Sequence, residues 1–340
     1  MIVSRQELFK EETLSMPFKY NQSRQHHFKK RTTQTQDWKH YNESLKRRGD
    51  MTIWLSQDVI ENWYEKERAY DGNGTPYLYT DMAIFTVHEI RHVFKLPLRQ
   101  CEGFVNSLFK LLKIDLRCPS YSVLSKRLTK LNLNRPFYRN IYTDLKNIKS
   151  IAIDSSGLKC FGYKEWHLEK YQIIEKRAYK KLHLVVDNNH IIQNNELTDS
   201  HTQDQSVVKN LIEPIDKKNR HVAADGAYDN NPTYKTITEK FPCADVVIPP
   251  QKDAVDNKEN EFYRNRNILE IKYYGHMEWQ KRRAYGKRNY SELAIQRYKR
   301  TLGNKLHARD FERQKQEAII GCSILNKMMG ITLEQIRQKF

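Results

Sequence analysis

The stretch YGKRNYSELAIQRYK, residues 285 to 299, sets one acid, Glu292, among the cations of a strongly basic chain. Tyr285, Arg288, Glu292 and Lys299 follow one another at intervals of three, four and seven residues. At about 100° per residue, these four side chains fall within roughly 60° of one another on one helical face. A carboxylate, two cations and a phenol then share a stripe. The same spacing also strings ion pairs along any solvated helix, with Glu292 simply balancing Arg288 four residues before it. What separates the two readings is whether other carboxylates need a third member.

Two such carboxylates stand upstream. Asp154 ends the apolar run IAID, and Asp225 ends the apolar run HVAAD. Ligands in open α/β sheets gather beyond the carboxyl ends of strands, so two aspartates closing two strands can face one site. Each alone reads equally as a turn cap, and the Asp-Gly pair at 225 favours turns in particular. With Glu292 on a later helix, three carboxylates arrive on three different elements. They repel one another unless a divalent cation neutralises them, and hard oxygen ligands suit magnesium or manganese. Two such ions about 4 Å apart activate a water or a 3′-hydroxyl and stabilise the leaving oxygen of an in-line phosphoryl transfer.

The elements that must position these acids are legible in the hydrophobic pattern. KSIAIDSSG, KKLHLVVDN, HIIQNNELTD, HVAADGAYD and ADVVIPP are short β-rich apolar runs between turn residues. QDQSVVKNLIEPI and NPTYKTITEKF read as helices among them, so strands alternate with helices as in a mixed α/β sheet. Residues 36 to 145 read as helical instead: apolar positions recur at three and four in DMAIFTVHEIRHVF and LRQCEGFVNSLFKLL, with Pro97 between. In CPSYSVLSKRLTKLNL, Pro119 and Ser120 suit a helix start and Lys126, Arg127 and Lys130 supply cations. Helix, short turn and basic helix is the outline of a helix-turn-helix DNA reader, and also of a plain helical bundle. Residues 1 to 35 are polar and basic and read as a flexible arm, 146 to 329 as the catalytic α/β domain, and 330 to 340 as a tail.

Composition narrows the partners. The 340-residue chain has 59 Lys and Arg against 41 Asp and Glu, for a formal net charge of +18. Such a surface displaces counterions from a polyanion, giving affinity without sequence preference. No run of apolar residues is long enough to span a bilayer, and the first residues lack a secretory leader's apolar core. A cytoplasmic, non-membrane protein is expected. The five cysteines are scattered, never arranged as C-x-x-C, and read as reduced thiols rather than zinc ligands.

IDSSGLK, KKLHLVVD, ADGAYD, IPPQK and YGKRNYSELAIQRYK, taken in order, resemble segments of bacterial insertion-sequence DDE transposases, specifically the insertion sequence five group. Its Tyr, Arg, Glu, Lys signature matches Tyr285, Arg288, Glu292 and Lys299, and the likeness runs over roughly residues 37 to 329. The resemblance implies a ribonuclease H-like catalytic domain, with Asp154 on a central strand and Glu292 on a helix. By the same resemblance Asp154, Asp225 and Glu292 hold two divalent ions, Mg2+ or Mn2+, while Tyr285, Arg288 and Lys299 contact terminal DNA phosphates. Implied partners are double-stranded DNA, as the element's inverted repeats and the target, and further copies of the chain synapsing two ends in the bacterial nucleoid. The departures are mild: Tyr179 stands where the group commonly has tryptophan, and Ser156 replaces a threonine.

The implied activity is binding of terminal inverted repeats followed by end cleavage and strand transfer. The alternatives are an inactive DNA-binding repressor derived from a mobile element, a metal-dependent nuclease without joining activity, and an RNA-binding module. Among single residues, His183 reads as a packed strand histidine and Trp166 as a buried aromatic. Asp187, Asp204 and Asp229 are the substitutes on offer as ligands.

Overall fold

A computed structural model describes residues 38–67, 77–131, 133, 148–160, 179–215 and 218–337. The expected arm, residues 1 to 35, and Trp166 lie outside them. Contacts divide the chain into residues 1–43 and 44–340. Of the first unit, the described residues belong to helix α1 (Trp38–Arg47), where the rings of Trp38 and Tyr41 meet edge to face.

The second unit opens with helices α2 (Gln57–Glu61), α3 (Asp81–Val93), α4 (Leu98–Leu111) and α5 (Tyr121–Leu128). Their starts follow the sequence chemistry. The Thr80 hydroxyl accepts the Ala83 N–H at 3.1 Å and the Ser120 hydroxyl that of Val123 at 3.4 Å, satisfying N–H groups that have no partner inside the helix. Trp54, Trp63, Ile84, Ile90, Val105, Phe109 and Leu124 close a core between them. The connection from α4 to α5 takes residues 112–120, not the three or four residues of a helix-turn-helix. It is anchored where the Trp63 indole donates to the Arg117 carbonyl at 2.9 Å.

The second half is built on a sheet of β1 (Ile151–Cys160), β2 (Tyr179–Asp187), β3 (Ile192–Asp199), β4 (His221–Ala224), β5 (Asp245–Val247) and β6 (Lys305–Leu306). Its order is β3-β2-β1-β4-β5, with β6 beside the far end of β1. β1 pairs antiparallel with β2, and β2 with β3, whereas β4 runs parallel to β1 and to β5. The expected mixed, ribonuclease H-like sheet is present, with β1 at its centre. β1 runs on past Asp154, because β2 pairs with it as far as Lys159. Asp154 therefore sits within the strand and does not end it.

Alternation along β1 sends successive side chains to opposite faces. Ile151 and Ile153 join one core with α6 (Val208–Ile212) and α7 (Asn231–Lys240). Leu158, with Leu182 and Leu184 of β2, faces the other core. Further along the chain come α8 (Phe262–Tyr274), α9 (His276–Arg282), α10 (Asn289–Thr301) and α11 (Phe311–Arg337). α10 lies over β1 and β2 with Ala294 and Tyr298 inward. α11 continues through the expected boundary at 329 to Arg337 and touches both halves: Ile320 and Ile324 enter the helical core, and Ala318 and Cys322 the sheet core. Its Asn326 side chain accepts the Ile192 N–H and donates to the Ile192 carbonyl, both at 2.8 Å, so it occupies backbone groups of edge strand β3. Among the described residues, no helix is long and apolar enough to cross a membrane.

Candidate active site

β1 and β4 run in parallel register through Ile153 opposite Ala224. The next residue on each strand is an aspartate, Asp154 and Asp225, on neighbouring strands that lie about 4.8 Å apart. Asp225 also starts a short 3₁₀ turn, Gly226–Tyr228, accepting the Ala227 N–H at 2.9 Å. Both readings of Asp225 hold: it caps a turn and it stands beside Asp154.

Asp154 shares a face of β1 with Ser156 and Leu158, the face that α10 covers. Its buried carboxylate accepts the Ser155 N–H at 2.8 Å. Burial pushes Asp154 up to about 6; the Ser155 amide and the Arg288 guanidinium pull it back, and Asp225 and Glu292 add to the rise. The three acids therefore act on one electrostatic neighbourhood.

The stripe of residues 285 to 299 takes two kinds of helix. Tyr285–Arg288 form a 3₁₀ turn, entered through Ala284 in the left-handed region at φ 50°, and α10 begins only at Asn289. The four signature residues thus do not ride one continuous α-helix, yet they still converge on β1. Arg288 is ion-paired with Glu292 and lies 3.7 Å from Asp154. The i,i+4 pairing is real, and it reaches a second acid on the sheet. Lys299 donates to the Ser156 hydroxyl at 2.6 Å. The Tyr285 ring sits 5.2 Å from that of buried Trp279, and the Arg288 guanidinium lies over it at 5.6 Å. Burial pushes the Tyr285 phenol up to about 12, so it remains a proton donor at neutral pH.

Behind these residues stands support that sequence periodicity did not mark. Trp279 donates to Asn267 at 3.2 Å, and Asn267 donates to the carbonyls of Val246 and Ile248, tying the Tyr285 stack to β5. On the opposite face of β1, Ser155 donates to Asp204 at 3.0 Å, which also accepts from Lys181. Asp204 holds β1 to β2 from below. Asp187 is likewise occupied, accepting the Asn189 and Ile191 amides of its turn, and Asp229 pairs with Arg264. His183 is buried against the Thr198 hydroxyl at 2.8 Å, and burial lowers it to about 4.

Of the cations expected to touch DNA in the helical region, Arg127 must be reassigned. It is buried, pairs with Asp81 at 2.5 Å, donates to the Tyr79 carbonyl and stacks on Tyr77 at 4.0 Å. It fastens α5 to the start of α3 and presents no charge to solvent. Lys126 and Lys130 are exposed, the latter donating to the Tyr77 hydroxyl at 3.2 Å.

Among the described residues, no three acid, histidine or cysteine side chains are gathered closely enough to hold a metal ion as oriented here. The Arg288 guanidinium takes the Glu292 carboxylate and faces Asp154, supplying the positive charge that these acids require. The donor set itself suits a hard divalent cation: carboxylate oxygens, one of them desolvated and raised by its acidic neighbours.

Comparison with known proteins gives the family. A solved structure of piggyBac transposase in a synaptic complex with hairpin DNA overlays 87% of this chain and 76% of its own, at 12% identity and TM-score 0.40, too distant to bear on the chemistry. A family model described as a transposase DDE domain matches residues 46–163, and a second with the same description matches residues 147–327. The second spans more than half of the chain and contains Asp154, Asp225 and Glu292: this protein belongs to the DDE transposases.

Proposed function

We propose that this transposase binds the terminal inverted repeats of its own mobile element, hydrolyses a phosphodiester at each end, and joins the freed 3′-hydroxyls to target DNA. The observation that carries the reading is the convergence of Asp154, Asp225 and Glu292, with Arg288 and Lys299 on the same face of β1. Both steps are one reaction with two nucleophiles, water first and the 3′-hydroxyl second. Asp154, Asp225 and Glu292 would hold two divalent ions, Mg2+ or Mn2+. Bound there, such ions supply nucleophile activation and charge stabilisation for phosphoryl transfer.

The chain's own residues do the rest. β1 and β4 fix two carboxylates on rigid, buried backbone. Arg288 neutralises the acids in the metal-free protein and, with Lys299, offers charge-assisted bonds to phosphate. The Trp279 and Asn267 stack fixes the Tyr285 ring beside them. Exposed Lys126 and Lys130 are the cations with which residues 36–145 contact duplex phosphates, and residues 146–329 carry the chemistry. The spacing of the Tyr, Arg, Glu, Lys signature supports placement in the insertion sequence five group, whose reaction requires a multimer to synapse two ends.

The test is incubation of the purified protein with labelled linear DNA carrying the element's flanking repeats, in Mg2+ or Mn2+, beside Asp225→Ala. Cleavage at the repeat ends by the unmodified protein alone is expected. Specific binding with no cleavage in either sample would replace this reading with a DNA-binding repressor.

A further inference from the structure

Away from the acids, a cavity of about 180 Å3 opens between the end of α3 and the end of α10. That is several times the roughly 30 Å3 of one water, so it admits a small polyatomic ion. Its walls carry Arg91, His92, Lys95, Lys305 and His307, with Glu317 as the one acid. Both Glu317 oxygens are engaged by the segment after β6: they accept the His307 N–H at 2.9 and 3.0 Å, and one also accepts the Ala308 N–H at 2.8 Å. Its carboxylate is spent in shaping the wall.

The cations are placed differently. Arg91 uses Nε to donate to the Leu96 carbonyl at 3.2 Å, which points the guanidinium and fixes it. Among the described residues, Arg91 and Lys95 have no ion-pair partner, and the Lys95 amine makes no hydrogen bond. Burial disfavours the charged form of Arg91 and nearby Glu317 favours it, so a half-buried cation here lacks a directly bonded counter-ion. A planar guanidinium held beside a flexible amine in a concave, net-positive wall matches a tetrahedral oxyanion.

We propose that this cavity is an anion site that takes a phosphate group through Arg91 and Lys95. The fold favours DNA as the source of that phosphate, which rests on the reading above. Leu302, on the cavity wall, follows Glu292 by ten residues along α10 and its end, about 15 Å at 1.5 Å per residue. A phosphate held there would bridge the helical and catalytic halves, which both line the cavity.

The experiment uses the full chain in EDTA, so it does not depend on cleavage. Arg91→Gln removes the guanidinium. Lys95→Asn removes the amine at an exposed position whose φ of 53° asparagine tolerates, so folding is preserved. Duplex affinity is measured across a salt series, and thermal midpoints are measured in inorganic phosphate against chloride at equal ionic strength. With DNA as the source, each variant flattens the dependence of log affinity on log salt by about one and weakens binding several-fold. Stabilisation of the unmodified protein by inorganic phosphate, lost in Lys95→Asn, with an unchanged salt slope would keep the site and make free phosphate its ligand. Salt slopes and phosphate responses both identical to the unmodified protein would overturn it.

Discussion

Replacing Asp154 with asparagine is expected to make the metal-free protein more stable at neutral pH. The carboxyl is buried, and burial raises it from an ordinary 3.8 to about 6. Between those values the folded protein holds a proton that the unfolded chain has already lost. The raised group therefore adds its full stabilisation below the unfolded value, and loses it as pH rises through about 6. At pH 7.5 the ionised carboxylate costs on the order of 3 kcal/mol, at about 1.36 kcal/mol for each tenfold change in proton affinity. Asparagine keeps an oxygen for the Ser155 N–H, now 2.8 Å away, and gives up the charge facing Arg288 at 3.7 Å. That attraction already limits the rise to about 6, so its loss adds no further cost. The net expectation is a gain of about 3 kcal/mol at pH 7.5, shrinking toward zero near pH 4, read from urea unfolding in EDTA at both pH values. Added Mg2+ should stabilise the unmodified protein and not the variant, because a ligand that binds only the folded state stabilises it. A loss of stability at pH 7.5, or an equal gain at both pH values, would refute the argument.

Other perturbations probe the scaffold. Arg127→Gln removes a buried guanidinium with its bonds to half-buried Asp81 and to the Tyr79 carbonyl and should cost about 1–3 kcal/mol, whereas exposed Lys126→Gln should stay within about 0.5 kcal/mol and weaken duplex binding. Denaturant melts and a salt series on each variant separate the two roles. Lys327→Met strands the fully buried Glu89 carboxylate, which also accepts from Ser323 at 3.0 Å, and should cost about 3–5 kcal/mol by the same measurement. Gly321→Ala puts a methyl 2.6 Å from the Tyr298 ring and 2.9 Å from Leu302. Despite alanine's better helix propensity, a lower thermal midpoint and a loss of about 1–3 kcal/mol are expected.

Much of the sheet was legible because its signals are local. Each of the five longer strands carries an apolar run closed by turn residues, and all five were placed. The apolar run that marks β1 stops at Asp154, whereas the strand continues to Cys160. What extends the strand is pairing with β2, a non-local cause. β6, two residues long, exists only through its contact with Lys159 and Cys160 and left no pattern to read. The same limit governs the site. Arg288 with Glu292 follows from a four-residue spacing, but the approach of Arg288 to Asp154 depends on how α10 lies over the sheet. Basic composition marked Arg127 as a DNA contact, and nothing local told that its face turns inward to Asp81, which lies on another helix. The Arg91 and Lys95 wall is assembled from α3 and from segments some two hundred residues later, so no spacing announces it.

Strand transfer from pre-cleaved ends tests most directly whether Asp154, Asp225 and Glu292 act as one centre. DNA ends with free 3′-hydroxyls are incubated with target DNA in Mg2+, using the unmodified protein, Asp154→Asn, Asp225→Asn and Glu292→Gln, with end binding measured in parallel. Joined products from the unmodified protein alone, with all four proteins binding the ends, are predicted. Joining by any one of the three variants at the unmodified rate would contradict it.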